Sequence, residues 1–211
     1  MKRLLTAALL VLASNPLLAE PLNEYQSRWA EIKYQLSGSR QEKAFEDLND
    51  DIHRELTMQP DDAGYLIWSA IIGSSYAGAR GGLGALKYVK AARNELEKAI
   101  EIDASALDGS AYTSLGSLYY QVPGWPVAFG SDKKAEEMLQ KALALNPDGI
   151  DPNYFYGDFL VRQKRYDEAI KYLDKALQAP DRPGRSLADR GRRDEVRQLL
   201  EQARLELGDA N

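Results

Sequence analysis

The feature that most constrains this chain is a recurrence of small residues at fixed places. Three stretches carry a bulky residue, then Gly, then a second bulky residue three positions after the Gly: Ile72-Gly73 with Tyr76, Leu115-Gly116 with Tyr119, and Tyr156-Gly157 with Leu160. Each is followed by Ala, Leu and Ala at spacings of four and three: Ala92, Leu96 and Ala99; Ala135, Leu139 and Ala142; Ala169, Leu173 and Ala176. Those spacings put each trio on one face of a helix. Gly and Ala at matched positions let two antiparallel helices approach closely, while Tyr and Leu fill the groove between successive pairs. One pair cannot bury its apolar face alone, so the pairs must stack. The expected fold is all-α, an α-solenoid of antiparallel helix pairs with about nine helices.

The third stretch fits a known pattern without gaps. Tyr156, Gly157, Leu160, Ala169, Leu173 and Ala176, with Tyr166 and, one residue early, Pro180, resemble the tetratricopeptide repeat; the second stretch closes on Pro147, five residues after Ala142. Two departures stand out. The family's fourth position, often aromatic, is Ser69, Tyr112 and Asn153, a match only in the second stretch. Leu160 and Ala169 are nine residues apart, as the family has them, but Tyr76 to Ala92 and Tyr119 to Ala135 are sixteen. Both earlier repeats therefore carry a seven-residue insertion, expected at the turn between their helices.

The flanks also read as helical. Tyr25, Trp29, Ile32 and Leu36 share one face, as do Ala44, Leu48, Ile52 and Leu56, so residues 20–60 form a degenerate first pair ahead of three repeats over 61–181. A polar linker from Asp181 to Ala188 precedes a last helix, Asp189 to Leu207, whose Val196, Leu200, Ala203 and Leu207 would cap the solenoid within 182–211.

Residues 1–19 read as a secretory signal. Lys2 and Arg3 precede an apolar run from Leu4 to Ala13, and Leu17-Leu18-Ala19 suits cleavage near Ala19. The run is shorter than the roughly 20 residues that span a bilayer, the alternative being an uncleaved anchor. The expected location is the periplasm, with no membrane span left after cleavage. The absence of cysteine suits an oxidising compartment and removes thiol chemistry, zinc fingers and cysteine-ligated clusters. Without residues 1–19 the 27 basic residues fall to 25 against 32 acids, a formal −7 in place of −5, which argues against nucleic acid as a partner.

Binding sites are expected in two places. The first is the pair of insertions. One, Gly78 to Gly84, contains Arg80 ahead of a helix, where backbone amides and a guanidinium suit an anion. It lacks the Gly-Lys-Ser/Thr of a phosphate loop and follows no strand. The other, Pro123 to Gly130, carries Trp125 and Phe129, is stiffened by Pro123 and Pro126, and precedes a Ser131 N-cap. Equivalent turns of stacked repeats should lie side by side. These aromatics either present apolar area to a partner or tuck back over the turn. The second place is the concave face. The family's ligand-facing positions, carried over by the resemblance, fall on Thr113, Tyr120, Tyr154, Asp158 and Arg162, with Ile67, Ala70, Ser74, Ala77, Gly78, Ser110, Ser117, Gln121, Asp151 and Val161. That face lacks the Lys/Arg clamp of carboxylate-reading family members. Six arginines between Arg182 and Arg197, interleaved with Asp181, Asp189, Asp194 and Glu195, are expected to form solvated helix pairs, the alternative being a site for an anionic partner.

No catalytic set, metal-spaced cluster or cofactor motif is present, and the one histidine, His53, reads as structural, so an enzyme is not expected. Two functions fit. One is an exported scaffold or adaptor for a protein or peptide partner. The other is a small-molecule-binding accessory of a solute transport system, with a small polar ligand. Over roughly residues 65–180 the lengthened turns and the Trp-Pro segment are similar to periplasmic repeat proteins that accompany TRAP-type carboxylate transporters, and to the helical domain of the regulators of microtubule dynamics. That resemblance implies a closed pore or pocket and oligomerisation. An open groove favours the first function, and an enclosed cavity lined by Tyr and Trp favours the second.

Overall fold

The structure, a computed structural model, describes residues 20–209; residues 1–19, expected to form a signal sequence, lie outside the described residues. The chain runs α1 (Glu20–Gln35), α2 (Gly38–Met58), α3 (Ala63–Arg80), α4 (Leu86–Ile102), α5 (Ala106–Gln121), α6 (Asp132–Leu145), α7 (Ile150–Arg162), α8 (Tyr166–Gln178) and α9 (Ser186–Asp209). A 3₁₀ turn, Leu83–Ala85, precedes α4. There are nine α-helices and no strand among the described residues, in the all-α, solenoid-like arrangement expected. Two helix starts are capped by side chains: the Asp62 side chain accepts from the Tyr65 amide at 2.9 Å, and Ser131 from Lys134 at 3.4 Å, whereas Ser37 and Ser105 make no such bond.

Close approach within pairs follows the small residues. A Cβ on Gly116 would sit 2.7 Å from Leu139, and one on Gly157 the same distance from Leu173. Ala135, Ala142, Ala169 and Ala176 are fully buried with those leucines. The first repeat differs, because the space beside Gly73 is bounded by Asn49 of α2, not by α4. A second apolar cluster joins α1, α2 and α3 through Trp29, Phe45, Leu48, Ile52, Trp68 and Tyr76.

The two insertions take different forms. In the first repeat α3 continues four residues past Tyr76, where α7 continues two past Leu160, and α4 begins six residues before Ala92, where α8 begins three before Ala169. Most of that insertion lengthens helices, which corrects the expectation of a Gly78–Gly84 loop: the left-handed residues are only Gly81 and Gly82. Nothing in Ala77-Gly78-Ala79-Arg80 breaks the hydrogen-bond ladder. In the second repeat α5 ends two residues past Tyr119 and α6 begins three before Ala135, as in the third, and the whole insertion is a loop, 122–131. Pro123 biases Val122 to its observed extended conformation and ends α5. The Gly130 amide donates to Pro123 at 2.9 Å, and no side chain fits there, since a Cβ on Gly130 would lie 2.0 Å from the Val122 carbonyl oxygen.

α9 does more than cap. Val196, Leu200 and Ala203 are buried in the core that includes Leu173 and Ala176 of α8. Its first two turns continue to α1: Ala188 joins the N-terminal cluster, and the Gly191 backbone lies against the Tyr34 ring, where a Cβ would be 2.4 Å away. Tyr34 and Lys33 reach Glu195, each at 3.4 Å. The concave face is thereby bridged from the last helix to the first.

Candidate functional site

Bridging the concave face leaves a cavity of about 900 Å³ between α1, α2, α3, α5, α7 and α9. That is in the range of small-molecule sites. One wall is aromatic. Trp29 stacks edge-on to Trp68 at 5.8 Å and to Tyr34 at 5.9 Å, and the Trp29 indole donates to Ser75 at 2.8 Å. Phe45, Ile71 and Ala79 complete it.

The opposite wall is ionic. Asp151, in the first turn of α7, accepts from Arg182 at 2.6 Å and from Arg192 at 2.8 Å. Arg182 also grips the buried Asp189 through its side chain and backbone amide, at 2.7 and 2.8 Å. Arg192, only 7% exposed, reaches Glu195 at 2.5 Å and lies over the Tyr154 ring at 4.3 Å. Burial pushes Asp151 upward, but Arg192 and Arg182 outweigh it and hold its carboxyl well below the usual carboxylate range. Burial pushes the Tyr154 hydroxyl up to about 12. The expectation of solvated helix pairs among these arginines is therefore corrected for Arg182 and Arg185, just before α9, and for Arg192 on it: they face inward because α9 lies across the concavity. Arg197, paired with Asp194 at 2.6 Å, stays on the solvated face as expected.

The site residues expected from sequence fall into separate groups. Thr113 and Tyr154 line the cavity, as do Ser74, Ser110, Ser117, Gln121 and Asp151 of the concave face. Its hydroxyls are largely spent on their own helices, Ser74 on Ala70 at 2.7 Å and Ser117 on Ser114 at 2.9 Å. Tyr120, Asp158 and Arg162 come together beside the cavity, not in its lining: the Tyr120 hydroxyl donates to Asp158 at 2.7 Å, Arg162 pairs with Asp158 at 3.5 Å and lies over the Tyr120 ring at 5.1 Å. Arg80 lies in the last turn of α3, where its guanidinium donates to the Tyr76 hydroxyl at 2.7 Å within its own helix. In the longer loop the two aromatics part company. Phe129 tucks back, edge-on to Tyr119 at 5.8 Å and under Arg93 at 4.8 Å. Trp125 stands 89% exposed beside the exposed Val127.

His53 is structural in geometry. Its Nδ1 lies 2.7 Å from the Asn49 carbonyl and its Nε2 3.3 Å from Glu95, tying α2 to α4. The Glu95 carboxylate raises its pKa, against the opposing effect of burial. No cluster of metal-ligating side chains is found, and no helix is long and apolar enough to cross a membrane, among the described residues.

The residues reasoning from sequence missed are Trp29, Trp68 and Arg185 as cavity walls. The signal for the tryptophans was present in the helical face shared by Tyr25 and Trp29, but nothing local says which face turns toward the concavity.

Residues 130–183, the segment that holds α6, α7 and α8, match the family model of the tetratricopeptide repeat. No curated protein matches the chain. Among solved structures, MamA is similar at 22% identity over 81% of this chain and 93% of that one, TM-score 0.45. TTC0263, a thermophilic TPR protein of Thermus thermophilus, is similar at 19% identity over 82% and 98%, TM-score 0.41. PilF of Pseudomonas aeruginosa is similar at 17% identity over 90% and 93%, TM-score 0.36. Residues 130–183 therefore carry a tetratricopeptide repeat, and the helix pairs upstream of them stack in the same all-α, solenoid-like arrangement.

Proposed function

We propose that this chain is an exported binding protein that takes a small molecule into the cavity bridged by α9, as an accessory to a solute transport system, and catalyses nothing. The repeat it is built from is a scaffold for protein–protein interaction, generally non-enzymatic. The observation that favours a small molecule is the closure itself: α9 lies across the concave face that an extended peptide would otherwise follow. The walls combine stacked aromatics with a few fixed charges, the pattern of a site that orients a ligand by polar anchors and retains it by apolar contact. Export rests on the signal-like residues 1–19 and the absence of cysteine.

The test is native mass spectrometry of the full chain purified from an envelope fraction without denaturation, followed by solvent extraction. A discrete added mass that is lost from a Ser114→Trp variant, whose larger side chain fills the cavity, supports the reading. Apo protein in every preparation, with no thermal shift across a metabolite library, ends it. Edman sequencing of the secreted form should begin at Glu20; a chain retaining residue 2 in the membrane fraction overturns the export part.

A protein partner is favoured by a separate observation. Trp125 and Val127 stand exposed on a loop whose backbone is closed on itself by the Gly130–Pro123 bond, a rigid display that lowers the ordering cost of contact. An envelope pull-down comparing wild type with Trp125→Ala tests it, and identical sets of recovered proteins remove the loop from the proposal.

A further inference from the structure

Charge is unevenly placed on the outside of the molecule. The helix pairs stack side by side, so the turns within pairs lie along one edge and the turns between pairs along the other. The between-pair edge is acidic. Asp61, Asp62, Asp103 and Asp148 sit in its turns, and Lys98 and Lys175 are taken up there by Asp61 at 2.8 Å and Asp148 at 3.1 Å. The within-pair edge is basic. Its two longest turns with their helix ends, residues 77–94 and 122–134, hold six basic residues against one acid, Asp132, in a chain of −5 overall. Lys87, Lys90, Lys133 and Lys134 are exposed there and make no ion pair among the described residues. The same two turns carry Leu83, 81% exposed, and Trp125 with Val127. They are neighbours, since Phe129 of the second turn packs under Arg93 of α4, the helix that the first turn begins.

We infer that this edge docks on the surface of a bilayer carrying anionic phospholipid. Trp125, Leu83 and Val127 enter the headgroup boundary, and the four free lysines meet the headgroup phosphates. The residue types match that environment. An indole sits at the headgroup level with its N–H wet, and lysine stems lie along the apolar layer while their ammonium groups reach the phosphates. Attraction to such a surface combines apolar area with local positive charge, and both coincide on this edge. The acidic opposite edge turns the molecule the same way, because an anionic surface repels it. A protein partner fits less well. The three exposed apolar side chains offer a few hundred Å², short of the roughly 800 Å² that each partner buries in a stable protein interface. The inference is independent of what the cavity holds. It competes with a protein partner for the same loop, and the experiment separates the two.

The experiment is titration of the full chain with vesicles of phosphatidylcholine alone, or with about one third phosphatidylglycerol, each doped with phosphatidylcholine brominated near the headgroup. Of the three tryptophans, Trp29 and Trp68 are buried, so quenching by the bromolipid reads Trp125. Attachment through the apolar residues 1–19 alone would leave Trp125 unquenched, because that stretch holds no tryptophan. The expected result is quenching on the anionic vesicles, with binding at least about tenfold tighter than to the neutral ones and weakened by salt. The double variant Lys87→Glu with Lys133→Glu should bind the anionic vesicles at least about tenfold more weakly, and Leu83→Ala severalfold more weakly. Met58→Ala, at an exposed apolar residue of the opposite edge, should change nothing. Equal binding to both vesicles overturns the inference. So does anionic binding that leaves Trp125 unquenched, or that the double variant retains in full. No vesicle binding also overturns it, and a protein then lost from the envelope pull-down of Trp125→Ala assigns the loop to a protein partner.

Discussion

The two walls of the cavity are held together by different physics. On the α1–α3 side, Trp29 and Trp68 pack edge to face and are buried with Phe45, with few polar obligations beyond the Trp29–Ser75 bond. On the α7–α9 side, Asp151, Arg182, Asp189, Arg192 and Glu195 hold each other in a chain of ion pairs, where each group's burial is tolerable only while its partners stay charged. The first wall gains from area and is indifferent to pH. The second gains little from replacing water by protein, but losing one member strands the others. A site built of both kinds can hold an apolar body on one side and discriminate charge on the other.

The contrast can be broken from either side. Trp68→Ala should cost the most, about 4 kcal/mol in urea unfolding, from a large cavity in the aromatic wall, and the loss should be the same at pH 7 and pH 4.5. Asp151→Ala should cost about 3 kcal/mol at pH 7 by leaving Arg182 and Arg192 short of a carboxylate. A loss under about 1 kcal/mol would show the network to be solvated after all. The ionic wall should also weaken in acid. The folded pKa of Asp151 is depressed, so its contribution is present above its unfolded value of about 4 and lost as pH falls through the folded one. Wild type should therefore lose stability below about pH 4 more steeply than Asp151→Ala does. The smallest effect is at His53, outside both walls. Its raised pKa gives a contribution that is full below about pH 6.5 and lost as pH rises through the folded value. The ring is partly exposed, so His53→Gln should remove only a few tenths of a kcal/mol at pH 6 and less at pH 8.

Some of this is legible in particular residues. Gly116 and Gly157 announce close helix contacts because no other side chain leaves that space, and Ala135 and Ala169 do the same from the facing helix. Pro123 and Pro126 announce a loop in the second insertion. Gly78 misleads in the first, since a glycine permits a turn without requiring one and α3 runs through it. Tyr120, Asp158 and Arg162 fall on ligand-facing positions of the family, yet they are neighbours of each other. The arginines of α9 mislead most. Alternation with acids looks alike whether a helix faces water or closes a cavity.

Helix pairing was determined by the sequence alone, because the contacts that define a pair are made by residues a few turns apart whose sizes must match. Whether the stack stays open was decided only in three dimensions. Closure depends on where α9 arrives after eight other helices have each added their own packing angle, and on Gly191 meeting Tyr34 across an interval of more than 150 residues. No local pattern carries that sum of angles, and with it came the cavity and the inward turn of charges that composition would have left in solvent.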